Sequence, residues 1–304
     1  MGNQLITQSC LSLLEIVKDR NNNNMYSTEQ IQELANIANE SVARGGKVAM
    51  DYFLSTEPIA YTTKATGKGH TLDLVSEADK EVERVIFKHL SRSTLVVEDV
   101  VFIGEEAANP ENKSLLTTGS GGGDPLYWYV DPIDGTANFA AGRDDWVVSV
   151  GAMNRCGEVI VSCVGQPVRN RMWWATRGKG ALENNRKIPQ RLPKFLNEAL
   201  IEVGVGRNKI RDYWPELLGK FLETGQEIRR EGSAGLALVK LATGEIDAYY
   251  GPSLQTWDWA GGRLIAEEAG ICVVEKKYLE EKVLIAAVSS MFTQFCDVIE
   301  DSLH

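Results

Sequence analysis

The feature that most constrains this chain is a repeated change of hydrophobic period along its length. Helical stripes alternate with strand-like runs in both halves, so neither an all-α nor an all-β architecture fits. Ser27 opens a capping box with Gln30. Ile31, Leu34, Ala35, Ile37, Ala38 and Val42 then form the apolar stripe of a helix reaching about Leu54. Thr62 to Leu72 is polar and glycine-bearing and reads as a loop. A second stripe, carrying Ala78, Val82, Val85, Ile86 and Leu90, predicts a helix from about Ser76. Leu95–Ile103 and Tyr127–Val130 read as strands, and Val147–Met153, Val159–Gln166 and Arg171–Ala175 as a meander.

Gly178 to Pro193 is a turn-rich bridge between halves. Beyond it, strands are expected at Ala199–Val205, Ile246–Tyr250, Ile271–Val274 and Val283–Val288. Helices are expected at Trp214–Thr224, with Pro215 suited to a first turn, at Leu236–Ala242, and at Trp257–Ala269, stopped by Gly270. An amphipathic helix follows from Ser290. The fold expected is a layered sandwich of alternating helix and sheet layers, in the α+β or α/β class. Its divisions would be an N-terminal extension at 1–26, an N-terminal half at 27–190 and a C-terminal half at 191–304, the two halves forming one compact unit.

Composition excludes several classes. Hydrophobic residues are 43% and charged residues 24% of 304, which argues against global disorder. A net charge of -10 repels polyanions, so neither nucleic acid nor an anionic membrane is an expected partner. It leaves room for a small phosphorylated substrate, because bound cations reverse a local field. The cysteines, Cys10, Cys156, Cys163, Cys272 and Cys296, are odd in number and contain no CxxC pair. Reduced thiols in a cytoplasmic protein are therefore expected. No apolar run approaches a membrane span, and the N-terminus lacks the pattern of a secretory signal. Gly2 invites N-myristoylation, but Ile6 stands where that motif wants Ser or Thr. Asn109 to Pro125 reads as a polar surface insertion.

The chemistry is concentrated in Asp131-Pro132-Ile133-Asp134-Gly135-Thr136, directly after an apolar strand. Pro132 stiffens the turn and Gly135 allows a backbone geometry or close approach that a side chain would block, so both carboxylates can face one space. The Ile133 carbonyl lies between them, and an all-oxygen donor set of this kind suits Mg2+. Alone, such a pair also reads as a turn with capping aspartates. Glu105 and Glu106 follow another strand-like run, and Asp73 and Asp79 flank the start of the second helix. Asp258, between Trp257 and Trp259, either caps its helix or is buried and partnered, for example by a metal.

Taken in order, Asp73–Asp79, Gly104–Glu106, Asp131–Phe139, Gly178–Ala181, Gly232–Ala237, Trp257–Gly262 and Glu268–Gly270 resemble the successive signatures of the inositol monophosphatase family, lithium-sensitive and magnesium-dependent phosphatases. The resemblance covers residues 30 to 290. It implies a first metal at Glu105, Asp131 and the Ile133 carbonyl, a second at Asp131, Asp134 and Asp258, and a third, weaker ion helped by Glu105. Mg2+ is the implied cofactor, as two or three ions. Asp73 would hydrogen-bond Thr136, and with Glu105 this pair would orient the attacking water, so Glu105, Thr136 and Asp73 are the implied catalytic residues. Substrate contacts would come from Asp134, Gly135, Thr136, Ser233, Ala234 and Asp258. The family also implies a homodimer.

The implied activity is hydrolysis of a small phosphate monoester, inositol monophosphate first. Gly251 departs from the pattern: inositol-specific members carry a ring-reading Glu there, seven residues before Asp258. That departure keeps histidinol phosphate and a 3'-phosphoadenosine nucleotide open as substrates. A non-catalytic binding protein on the same scaffold is the reading of another class. Lys64 reads equally as a loop lysine or a residue near the phosphate, and Glu106 as a partner of the ligand set. Arg229-Arg230 read as surface charge with a substrate-facing alternative. His70, His89 and His304 are expected at the surface, and Trp146, Trp173 and Trp174 in packing.

Overall fold

The computed structural model describes residues 26–56, 61–63, 74–106, 117–118, 125–206, 208–224 and 226–302. Helix α1 (Thr28–Phe53) starts at the capping box. The Gln30 amide donates to Ser27 Oγ at 3.2 Å, and the Ser27 amide donates to Gln30 Oε1 at 2.9 Å. Its stripe from Ile31 to Val42 is buried, and each large apolar side chain there contributes about 1.5–3 kcal/mol. Strands β1 (Tyr61–Thr63) and β2 (Leu74–Ser76) pair antiparallel, so Thr62 and Thr63, read as the start of a loop, belong to a strand. Helix α2 (Glu77–Leu90) follows β2 directly and packs on α1.

The first sheet comprises β3 (Val100–Gly104), β4 (Thr117–Thr118) and β5 (Leu126–Asp134). After the short helix α3 (Thr136–Ala140) come β6 (Val147–Met153), β7 (Val159–Gln166), β8 (Arg171–Thr176), β9 (Ala181–Glu183) and β10 (Arg186–Lys187). Their order is β10-β9-β8-β7-β6-β5-β3-β4, with β3 and β5 parallel and the other pairs antiparallel. The rest of the chain supplies β11 (Leu200–Val203), α4 (Trp214–Glu223), β12 (Glu227–Arg229), α5 (Ala234–Thr243), β13 (Ala248–Pro252), α6 (Thr256–Glu268), β14 (Ile271–Tyr278), β15 (Glu281–Val288) and α7 (Phe292–Ser302). The second sheet has the order β12-β11-β13-β15-β14.

These elements stack as α1 and α2, the eight-stranded sheet, α5 and α6, the five-stranded sheet, then α4 and α7. This is the layered α/β arrangement expected from the alternating periods. Strands β6 and β7 are buried at every position because α1 covers one face and α6 the other. On the far side, Phe221 of α4 stacks on Phe295 of α7 with centroids 5.7 Å apart. Trp146 and Trp173 are fully buried, as packing residues should be. Among the described residues no helix is long and apolar enough to cross a membrane, and Cys156, Cys163, Cys272 and Cys296 are free thiols.

Several expected elements shift. Ser91–Leu95 forms a 3-10 turn, and the Gln30 amide side chain donates to the Val96 carbonyl at 2.9 Å, so the β-branched run becomes a strand only at Val100. The bridge after Gly178 contains the β9–β10 edge hairpin, whose turn residues Asn184 and Asn185 have φ of 45° and 64°. Asparagine tolerates that left-handed region. The β14–β15 hairpin is longer than expected, and β12 was not foreseen.

Candidate active site

Strand β5 delivers the paired aspartates, and it does not stop at Val130. Pairing with β6 continues to Asp131↔Ser149, slips across Pro132 and Ile133, and resumes at Asp134↔Val147. Pro132 has no N–H for the ladder, so the irregularity falls where it costs least. The expected turn is therefore a bulged strand end. Gly135 follows with φ 101°, and a Cβ there would lie 2.9 Å from the Asp145 carbonyl oxygen, so a side chain is blocked on both counts.

Glu105 arrives from the end of β3, where its amide donates to the Val130 carbonyl at 3.2 Å. Asp258 arrives from the first turn of α6. Its Oδ2 accepts the Gln255 amide at 2.7 Å, so it caps the helix, and it lines the cleft while only half-buried, not buried as the flanking tryptophans suggested. Glu105, Asp131, Asp134 and Asp258 line one open cleft of about 820 Å3. Ile133, Gly135 and Thr136 line it beside them, and Ser233 and Ala234 reach it from the start of α5. The Thr136 hydroxyl donates to the Ile133 carbonyl at 3.1 Å. Asp73, Lys64, His70 and His304 lie outside the described residues.

Electrostatics explain what the cleft needs. Asp131 is 2% exposed and its Oδ1 has no hydrogen-bond partner among the described residues. Burial, then the charges of Glu105, Asp134, Asp258 and Asp79, push its carboxyl well above the usual range. Burial lifts the Asp134 carboxyl to about 6, against hydrogen bonds from Ser233 Oγ at 2.7 Å, the Gly235 amide at 2.6 Å and the Ala234 amide at 3.3 Å. Like charges gathered in a low dielectric call for cations, and the donors are all oxygen, so the residues present fit Mg2+. As oriented, no three acidic side chains among the described residues converge on one point. Asp134 is turned onto Ser233, Ala234 and Gly235, and Asp258 onto Gln255, so an ion would compete with those local donors.

Residues outside the predicted set also line the cleft. Glu202 of β11 is 1% exposed; its Oε1 accepts the Glu231 amide at 3.3 Å, and its Oε2 has no partner among the described residues. Burial and the nearby Glu231 charge raise its carboxyl to about 8, with Lys240 opposing. The available signal was one acidic residue inside the apolar run Leu200–Val203. Arg211 and Arg230 stand exposed at the rim, whereas Arg229 pairs with Glu227 at 3.3 Å. Beside Gly251, a Cβ would lie 2.7 Å from Tyr249 Cε1 and from Leu254 Cδ1, and 2.8 Å from Tyr249 Oη. The space a longer side chain would need is filled by Tyr249. Glu106 is buried, with its amide donating to Glu83 Oε2 at 3.0 Å. His89, expected at the surface, keeps only 10% of its side chain exposed and places Nε2 3.0 Å from Glu40 Oε2. Burial, with Arg44 and Arg92 nearby, holds its pKa below the usual value.

Fold and cleft together define a class: layered α/β proteins that gather oxygen ligands at one site suited to a divalent cation and an anionic substrate. The sequence profile of the inositol monophosphatase family matches residues 30–302, and the chain belongs to that family. It is 32% identical to the inositol-1-monophosphatase of Rhizobium meliloti over 78% of this chain and 83% of that protein. It is 31% identical to the Nus factor SuhB of Xylella fastidiosa over 80% and 82%. Among solved structures, the extragenic suppressor protein suhB of Bartonella henselae superposes with a TM-score of 0.73 at 24% identity, covering 86% of this chain and 96% of that one. The inositol monophosphatase of Anabaena superposes at 0.68 and 22% identity, covering 89% and 96%. The family is one of metal-dependent phosphatases acting on small phosphorylated substrates, and membership supports a phosphatase here.

Proposed function

We propose that this chain hydrolyses a phosphate monoester in the carboxylate cleft, with Mg2+ held by Glu105, Asp131, the Ile133 carbonyl, Asp134 and Asp258. One observation carries the reading: acidic side chains far apart in sequence line a single cleft, and the deepest, Asp131, is buried with Oδ1 unpartnered among the described residues. Bound Mg2+ supplies positive charge that favours ionisation of water and neutralises the phosphoryl oxygens. The chain's own groups position the reaction. Gly135 and Thr136, at the start of α3, hold the phosphate end of the substrate, and Ser233 and Ala234, at the start of α5, contact the rest of it. Glu105 and Thr136 orient the attacking water. Asp73 assists Thr136, as the family resemblance implies. Water adds to phosphorus in line, the ester P–O bond breaks, and alcohol and inorganic phosphate leave.

Inositol monophosphate is the first substrate to try, supported by the relative of that activity in Rhizobium meliloti. Histidinol phosphate and a 3'-phosphoadenosine nucleotide stay in the panel because Gly251 offers no side chain to read an inositol ring. Relatives called Nus factors keep a binding role in view, but the complete carboxylate set favours catalysis. The protein is further proposed to be a cytoplasmic, lithium-inhibited homodimer. The test is phosphate release from these esters with Mg2+, with chelator, and with added Li+. Release that needs Mg2+ supports the reading; no release from any ester sinks it.

A further inference from the structure

Glu202 stands apart from the proposed ligand set. It enters the cleft from the five-stranded sheet, opposite Tyr249 in the β11–β13 register, whereas Asp131 and Asp134 enter from the eight-stranded sheet. One oxygen, Oε1, takes the Glu231 amide; the other, Oε2, is buried and unpartnered among the described residues. Lys240, the nearby cation, is committed to an ion pair with Glu231. Tyr249 is 4% exposed and lines the cleft beside it. A buried polar oxygen left unpaired is costly, so a donor arriving through the cleft would be held there. The phosphate end of the cleft belongs to Asp131, Gly135 and Thr136. The opposite sheet therefore faces the alcohol portion of the ligand.

We infer that Glu202, with Tyr249 beside it, is a specificity-determining residue that accepts at Oε2 a hydrogen bond from an O–H or N–H group on the alcohol portion of the ester. This assignment rests on the phosphatase reading and deepens it. It supplies from β11 the acceptor that Gly251 cannot supply from β13. The donor belongs to a hydroxyl or to an ammonium group, and the test separates the two.

Full-length wild type, Glu202→Ala and Glu202→Gln are assayed with Mg2+ on ethyl phosphate, which has no donor on its alcohol, on glycerol 1-phosphate and on O-phosphoethanolamine. The readout is kcat/KM for each donor-bearing ester divided by kcat/KM for ethyl phosphate, a ratio that a merely structural role would not move. Glu202→Ala should lower that ratio about tenfold or more for the preferred ester. Glu202→Gln keeps the shape and, with its oxygen on the Glu231 amide, presents an NH2 group that a hydroxyl can pair with and an ammonium cannot; it also guards against a variant that does not fold. It should retain a glycerol preference and lose an ethanolamine preference. Ratios unchanged in both variants, or a wild type with no preference between esters, overturn the assignment and leave the phosphatase reading standing. A wild type that hydrolyses none of the three and none of the wider panel brings down that reading and this assignment together.

Discussion

Ser233 donates its hydroxyl to Asp134 Oδ2 at 2.7 Å, joining residues 99 positions apart at the cleft. Ser233 Oγ also accepts the Leu236 amide at 3.2 Å as the N-cap of α5. One hydroxyl thus ties a cleft carboxylate to a helix start. Ser233→Ala should lower stability by about 1–2 kcal/mol, through the lost cap and the carboxylate's lost donor. It should also reduce kcat/KM, and Ser233→Thr should restore much of both. Urea denaturation and phosphate release on the three proteins check this; an unchanged Ser233→Ala would show the bond to be incidental.

Asp131→Asn should abolish turnover while leaving the fold intact. A neutral amide relieves the burial of a charge, so stability in chelator should not fall by more than about 1 kcal/mol. Wild type should gain about 2.7 kcal/mol when Mg2+ reaches 100 times its Kd, and the variant should gain little. Thermal melts with chelator and with Mg2+ measure the difference. Equal gains in both proteins would remove Asp131 from the ligand set.

Local signals were the legible ones. The Ser27–Gln30 box set the start of α1 because both of its hydrogen bonds close within one turn. Asp131 and Asp134 stood out because carboxylates beside an apolar strand need an explanation. What escaped depends on partners distant in sequence. The continuation of β5 through Pro132 needs Val147 of β6 to pair with Asp134. The delay of β3 to Val100 goes with a 3-10 turn and with a hydrogen bond between Gln30 and Val96, 66 positions apart. The significance of Glu202 arises only where β11, β13 and the residues before α5 converge.

Gly251 is where sequence and geometry pull apart. The family pattern suggests that a glutamate there would sharpen inositol recognition. A Cβ at that position would meet the Tyr249 ring and Leu254 at 2.7 Å, and the tyrosine is buried. Gly251→Glu should therefore lower stability by about 1–3 kcal/mol, the usual cost of overfilling packed space. It should not raise kcat/KM for inositol monophosphate. Denaturation and turnover of the single variant decide it; a stable variant with improved inositol turnover would mean that Tyr249 yields its place.

Glu202 also makes stability depend on pH with a definite sign. Its carboxyl sits at about 8 in the folded protein against 4.5 for an ordinary glutamate, because burial disfavours the charged form. With the cleft empty, the folded state therefore keeps a proton that the unfolded chain releases; a donor bound at Oε2 favours the ionised carboxylate and displaces that proton. The resulting contribution is whole below about 4.5, declines as pH rises, and is gone above about 8. The slope can reach about 1.4 kcal/mol per pH unit. Glu202→Gln cannot titrate, so wild type minus variant should fall steadily from pH 5 to pH 8 and level off beyond. Other carboxylates are common to both proteins and cancel in the difference. Urea denaturation of the pair in chelator, at several pH values across that window, measures it directly. Parallel curves would mean that Glu202 ionises normally in the folded protein, with water or a cation reaching Oε2.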